Sequence, residues 1–294
     1  MPAYRDTLNV GEERTMRRIL LSLGDVSPTR TLAGRFNELI TANFCVTALV
    51  VTFFPGILEW MGVDFSRGGV LSIQLLFIYF SSLTFLGFFL SRLDVEIQTM
   101  ATFLHRGFDF LFFTYFYLMG EFQLLFVGYV MMMGPTTAFV AFVLWRKERT
   151  YDTYWKALIQ RVNEPTASLK MVTVQGYALA LIGLVLMFCP QWSMDGLGMG
   201  LVTEPYQFGF FRFYGLMMFF LGFTYFFNGF HAIAGFAKLV IVQQLYFLIG
   251  FIVLSAVIEV PQRLFMLNIG LMLAGLLLNL MMLSREEPQN VQAS

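Results

Sequence analysis

Eight stretches of about twenty mostly apolar residues follow one another along this chain, each of the length a helix needs to cross a lipid bilayer. They run Leu39–Leu58, Val70–Leu90, Ile97–Met119, Phe122–Trp145, Met171–Phe188, Phe208–Phe227, Phe236–Ile258 and Leu264–Leu283. Hydrocarbon offers backbone N–H and C=O groups no partner, so a spanning segment of this kind must pair them internally, as a helix does. The third span is drawn to include His105, Arg106 and Asp109, because a helix begun at Gly107 would be too short to cross. Gly134–Pro135 predicts a kink in the fourth. The expected fold class is therefore all-α: a polytopic membrane protein of about eight transmembrane helices.

Composition closes off the other classes. Of 294 residues 57% are hydrophobic and 13% are charged, where a soluble domain carries about 25% charge. Basic and acidic residues balance at 19 each, so no bulk charge recruits nucleic acid. Cys45 and Cys189 sit in apolar runs and read as free thiols. Residues 1–37 hold six Arg and no long apolar core, so they do not read as a cleavable signal peptide.

The basic residues set the orientation. With eight spans and the N-terminus inside, the Arg-rich arm, Arg92, the central Arg146–Lys170 segment, Lys238 and Arg285 all fall on the cytoplasmic side. Arg67, Arg212 and Arg263 lie toward the outer side, with Glu59, Asp64, Glu121, Asp195, Glu204 and Glu259. Both termini are expected inside, in a bacterial inner membrane. The chain then divides into a basic arm (1–37), a first four-helix unit (38–145), an interfacial linker (146–170), a second four-helix unit (171–284) and a tail (285–294). In the linker Tyr151, Tyr154, Trp155 and Leu158 give a short amphipathic helix.

The two units read as a repeat. A shift of 135 places Leu49 on Leu184, Phe53 on Phe188, Pro55 on Pro190, Tyr79 on Tyr214 and Phe85–Phe88 on Phe220–Phe223. A shift of 138 places Glu121 on Glu259. Four spans per unit is an even number, so the repeats are parallel. The second unit carries Arg212-Phe213-Tyr214-Gly215 and then Leu221-Gly222, preceded by Pro190 after an apolar helix. That arrangement resembles the DoxX-like group of bacterial four-helix membrane domains, in particular members with an R-x-Y-G second helix. The resemblance covers roughly residues 171–283; the first unit joins it through the repeat, with Phe77 and Phe80 where the Arg and Gly would stand. Some DoxX-like proteins are small subunits of quinone-linked oxidoreductases, so the resemblance implies a quinone association. It carries no catalytic residue across.

Ionisable residues inside a span are functional suspects, because each costs about 2.5–3.5 kcal/mol to insert. His105 and Asp109 are four apart on one helix face, with Arg106 between them. They form either a buried cluster for a polar head group, a proton or a partner helix, or an internal neutralisation of Arg106 by Asp109. Gln243 and Gln244 occupy the equivalent place in the second unit, with Lys238 one to two turns earlier. They serve a single off-axis site or hydrogen bonds between helices. Arg212 pairs with Glu204 or Glu259, or binds a ligand. A bis-His haem would require His105 and His231 at compatible depth, and neither histidine belongs to a metal or nucleophile constellation. No cofactor motif is present. The Phe-rich third and sixth spans read as lipid-facing filler or as a surface for a quinone, pigment or lipid chain.

Three functions follow. The first is a non-catalytic subunit or interaction partner of a membrane complex, in contact with the bilayer and with other membrane proteins or further copies of itself. The second is a carrier of a small hydrophobic or amphiphilic molecule at the repeat interface. The third is a quinone-associated redox subunit.

Overall fold

Thr31 opens the first helix in extended backbone (φ −73°, ψ 159°), its hydroxyl accepting the N–H of Gly34 at 3.0 Å. A polar side chain at this position answers one of the four N–H groups a helix start leaves unpaired. The computed structural model describes residues 24, 31–61, 69–93, 96–120, 124–148, 165–199, 205–233 and 235–291, with the side chains of 61, 96–104, 124–133, 148, 205–207 and 287–291 left aside. Among the described residues all regular structure is helical. We number the long helices α1 (Leu32–Phe53), α2 (Val70–Arg92), α3 (Glu96–Leu118), α4 (Leu124–Glu148), α5 (Ala167–Phe188), α6 (Pro205–Phe230), α7 (Phe236–Val257) and α8 (Gln262–Val291). Six of these, α1, α2, α5, α6, α7 and α8, are long and apolar enough over their described residues to cross a membrane. The apolar helices make this an integral membrane protein.

Several boundaries differ from expectation for local reasons. α1 starts at Leu32, inside the stretch assigned to the arm, because the Thr31 cap outweighs the polarity of Arg35, Asn37 and Glu38. It ends at Phe53, and Pro55–Met61 forms a separate 3-10 helix where the first span was expected to continue. Proline removes an N–H donor and clashes with the preceding turn, so the helix stops before it. Pro135, by contrast, lies inside α4, which runs past it. α8 extends to Val291, into the segment read as a tail. Most of the linker, residues 149–164, falls outside the described residues, as do Glu121 and Glu204.

Lengths and caps recur along the chain. Thr166, 135 residues after Thr31, caps α5 through its hydroxyl and the N–H of Leu169. α1 and α5 are both 22 residues long, and each ends at a residue with φ near −125° (Phe54, Cys189) followed by proline. Each proline begins a seven-residue helix, Pro55–Met61 and Pro190–Gly196.

α2 and α6 are the most buried helices and pack against each other at the centre. α1 lies along α2, and α5 lies along α6 in the tightest contact of the molecule. The α3–α4 and α7–α8 hairpins flank this core, with α7 on α2, α3 on α6, α4 on α1 and α8 on α5. Glycines make the α5–α6 contact possible. Gly176 and Gly183 on α5 face Gly222 and Gly215 on α6, and Gly229 of α6 faces Thr173 and the Leu169 carbonyl, the glycines of each helix stepping by seven residues. A Cβ on Gly183 would stand 2.6 Å from the Gly215 carbonyl oxygen, and one on Gly215 would stand 2.8 Å from that of Gly183. Small residues let membrane helices gain van der Waals contact along their backbones, where no hydrophobic driving force separates them from lipid.

Candidate functional site

The centre of the molecule is polar but internally satisfied. Tyr79 of α2 and Tyr214 of α6 donate their hydroxyls to one acceptor, Oδ1 of Asn268 on α8, at 2.8 and 3.0 Å. Asn268 fixes its own orientation by donating Nδ2 to the Leu264 carbonyl at 2.8 Å. The two tyrosine rings meet edge to face at 5.3 Å, and Phe247 of α7 packs on Tyr79 at 4.6 Å. All four residues are buried.

Gln243 and Gln244 serve two further junctions. Gln243 bridges α7 to its neighbours, accepting from the Tyr225 hydroxyl and donating to Ser82 Oγ. Gln244 donates to Gln175 Oε1 at 3.2 Å, and Asn279 Nδ2 donates to the same oxygen at 3.0 Å. Gln175 in turn donates to the Gly275 carbonyl at 3.0 Å, tying α5, α7 and α8 together. Interhelical bonds of this kind are worth about 0.6–2 kcal/mol each in a membrane.

Arg212 sits elsewhere, toward the start of α6. Its Nη1 donates to the Met187 carbonyl at 2.7 Å, and its guanidinium lies 5.9 Å over the Phe116 ring. Met187 is one of the last carbonyls of α5, where a cation is favoured by unpaired C=O groups and the helix dipole. On α2, Gln74 Nε2 donates to the carbonyl of Thr52, which precedes Met187 by 135 residues, at 3.1 Å. Glu204, one expected partner of Arg212, lies outside the described residues. Arg212 also lines a surface cleft of about 550 Å³ with Phe188, Trp192, Asp195 and Phe208.

His105, Arg106 and Asp109 lie where α3 meets α1 and α6. His105 packs its ring on Phe220 at 5.0 Å and Phe223 at 5.3 Å. Arg106 stacks its guanidinium 4.9 Å over Phe44 of α1. His105 Nε2 and Asp109 Oδ1 are both buried and make no hydrogen bond. Lys238 is half-buried in the first turn of α7. His231 lies in the turn after α6, against Phe227 and Phe230. Among the described residues, no three of His, Cys, Asp and Glu gather as metal ligands.

The suspected residues therefore belong to separate places: the α3 cluster in one seam, Gln243 and Gln244 in two others, Arg212 at the end of α5 and Lys238 at a helix start. Sequence reasoning overlooked Asn268, Gln175 and Asn279, although a lone amide in an apolar span was the available signal. It also missed Glu286. The Glu286 carboxylate accepts the Ser168 N–H at 2.6 Å and the Ser168 hydroxyl at 3.0 Å, joining the end of α8 to the start of α5. Comparison with known proteins finds no matching family model, no matching curated protein and no matching solved structure.

Proposed function

We propose that this is a bacterial inner-membrane protein of eight spans, built as two parallel four-helix repeats with both termini cytoplasmic. It works as a non-catalytic subunit or interaction partner of a membrane complex. The repeat is supported by the matched caps, lengths and proline-led short helices of α1 and α5, and by the mutual placement of the hairpins on α2 and α6. The Glu286–Ser168 contact puts the last helix end beside the start of the fifth, as an even number of spans per unit requires. The bias of Lys and Arg supports the orientation.

The observation that carries the functional reading is the filled midline. A carrier built from repeats holds its site between them. Here Tyr79, Tyr214, Asn268 and Phe247 occupy that place, and their polar atoms are spent on one another. The broad surfaces left for work are apolar helix faces, such as Phe108, Leu111, Tyr115 and Leu118 on α3 or Met266, Leu273 and Leu277 on α8. Such faces meet lipid, other membrane helices or a second copy. The resemblance to DoxX-like domains agrees with a subunit role.

Purification from the native membrane in mild detergent after brief cross-linking tests this reading. The expected result is a stoichiometric membrane protein, or a second copy, cross-linked to the α3 or α8 face. A solitary chain would overturn it.

A further inference from the structure

The seam between α3 and α6 holds two buried polar atoms without a hydrogen bond on one turn of a single helix, where the α5–α7–α8 junction leaves one, Oδ1 of Asn279. His105 is 9% exposed, lies on the rings of Phe220 and Phe223, and keeps Nε2 buried without a hydrogen bond. Asp109 is one turn further along the same face, which places the two side chains about 5–6 Å apart at Cβ. Its Oδ1 is likewise buried and unbonded. Native interiors pair such atoms almost without exception, with protein, water or ligand. Gln243, Gln244 and Asn268 obey that rule across helices.

We propose that this seam receives the hydroxyl head of a membrane amphiphile, such as a long-chain alcohol, a prenol or an acylglycerol. A hydroxyl answers both atoms at once: its oxygen accepts from the imidazole N–H at Nε2, and its proton goes to the Asp109 carboxyl oxygen. A neutral hydroxyl suits a seam whose two charged residues offset each other, Asp109 and the Arg106 guanidinium held over Phe44. Rings furnish the place for the tail, since Phe108, Phe112 and Phe116 step along α3 at centroid spacings of 6.4 and 6.2 Å. The seam is joined by ring contacts, including Phe113 on Phe213 at 4.1 Å, which part without breaking a hydrogen bond. Phe108, at one end of that row, is exposed, as are Phe110 and Leu111, so the row of rings reaches the lipid-facing surface, the phase that supplies an amphiphile. The site is independent of the subunit role argued above.

The test uses the purified full chain and two probes, a diazirine-bearing long-chain alcohol and its O-methyl ether, which accepts a hydrogen bond but cannot donate one. Wild-type protein is expected to be labelled on α3 or α6 about tenfold more by the alcohol, the worth of one hydrogen bond to a charged group. His105→Phe preserves the ring contacts, and Asp109→Leu fills the space of the carboxyl. Asp109→Leu is expected to bring alcohol labelling down to the ether level, and His105→Phe, which takes away the donor both probes share, to lower labelling by both, while the protein elutes as a single species. Should Asp109→Leu fail to fold, the loss of labelling in His105→Phe decides alone. Equal labelling of wild type by both probes overturns the proposal, as does labelling of His105→Phe at the wild-type level. Absence of label from either probe in the seam assigns the two atoms to a trapped water and also overturns it.

Discussion

Asn268 is the residue on which the centre of the molecule depends. One carbonyl oxygen accepts two tyrosine hydroxyls from two other helices, so replacing it strands both donors in an apolar interior. Leaving a buried donor unsatisfied costs about 1–3 kcal/mol, more than the net gain of making the bond. Asn268→Leu is therefore expected to lower stability by about 2–4 kcal/mol, measured as thermal unfolding in detergent. Tyr79→Phe removes a donor and leaves Oδ1 still bonded to Tyr214, so it should cost less than half as much. An Asn268→Leu protein as stable as wild type would mean that the tyrosines find other partners. Arg212 invites a second comparison. Arg212→Lys keeps a cation near the Met187 carbonyl, whereas Arg212→Leu removes both the bond and the charge at the end of α5. The expected loss is about 1–2 kcal/mol for the Leu variant and a smaller one for Lys. Little of this was legible in the sequence. Asn268 lies 189 residues from Tyr79, and no local pattern joins them. Tyr79 and Tyr214 were matched as repeat equivalents without a reason to expect that they touch.

Helices themselves were far more legible, because their cause is local. A run of apolar residues long enough to cross lipid is visible without knowing its neighbours, and each of the eight expected segments falls on a helix, six of them long and apolar enough over their described residues to cross a membrane. Errors collected at the ends, where one side chain decides. Thr31 pulled the start of α1 forward and Pro55 cut its end, moving the whole element toward the N-terminus. The seven-residue spacing of glycines on α5 and α6 was present in the sequence but overlooked, since single glycines in membrane helices are common. It keeps the small residues on one stripe of a slightly supercoiled pair. Gly183→Ala puts a methyl group against the Gly215 carbonyl and the Phe219 backbone, which cannot yield without separating the helices. A loss of about 3 kcal/mol or more, or failure to give a monodisperse protein, is expected. Gly270→Ala on α8 is the control. No atom lies within 4 Å of a Cβ built there, and alanine is the better helix former by about 0.8–1 kcal/mol. That variant should melt at or above the wild-type temperature, and a comparable loss at both positions would show that packing at Gly183 is not the cause.

At the scale of the whole molecule the two halves solve one backbone problem with different residues. The carbonyl before the end of α1 is met by Gln74 and its counterpart at the end of α5 by Arg212, from positions one turn apart on α2 and α6. In the repeat proposed above, the fold constrains where a polar group must arrive and not which residue brings it. That is why the Arg of the second unit had no match at Phe77, although the same need exists there. The parallel repeat proposed above has a direct consequence for topology. Trp60 and Trp192 stand on the two short proline-led helices, 90% and 72% exposed. With the four proposed spans between them they would face the same side of the membrane, whereas an inverted repeat would put them on opposite sides. In a Cys45→Ala/Cys189→Ala background, Trp60→Cys and Trp192→Cys should both react with a membrane-impermeant maleimide added to intact spheroplasts. Ser284→Cys, near the end of α8, should react only after permeabilisation. Labelling of one tryptophan position from outside and the other from inside would exclude the parallel repeat. Both reacting only after permeabilisation would keep the repeat and reverse the orientation inferred from the Arg-rich arm.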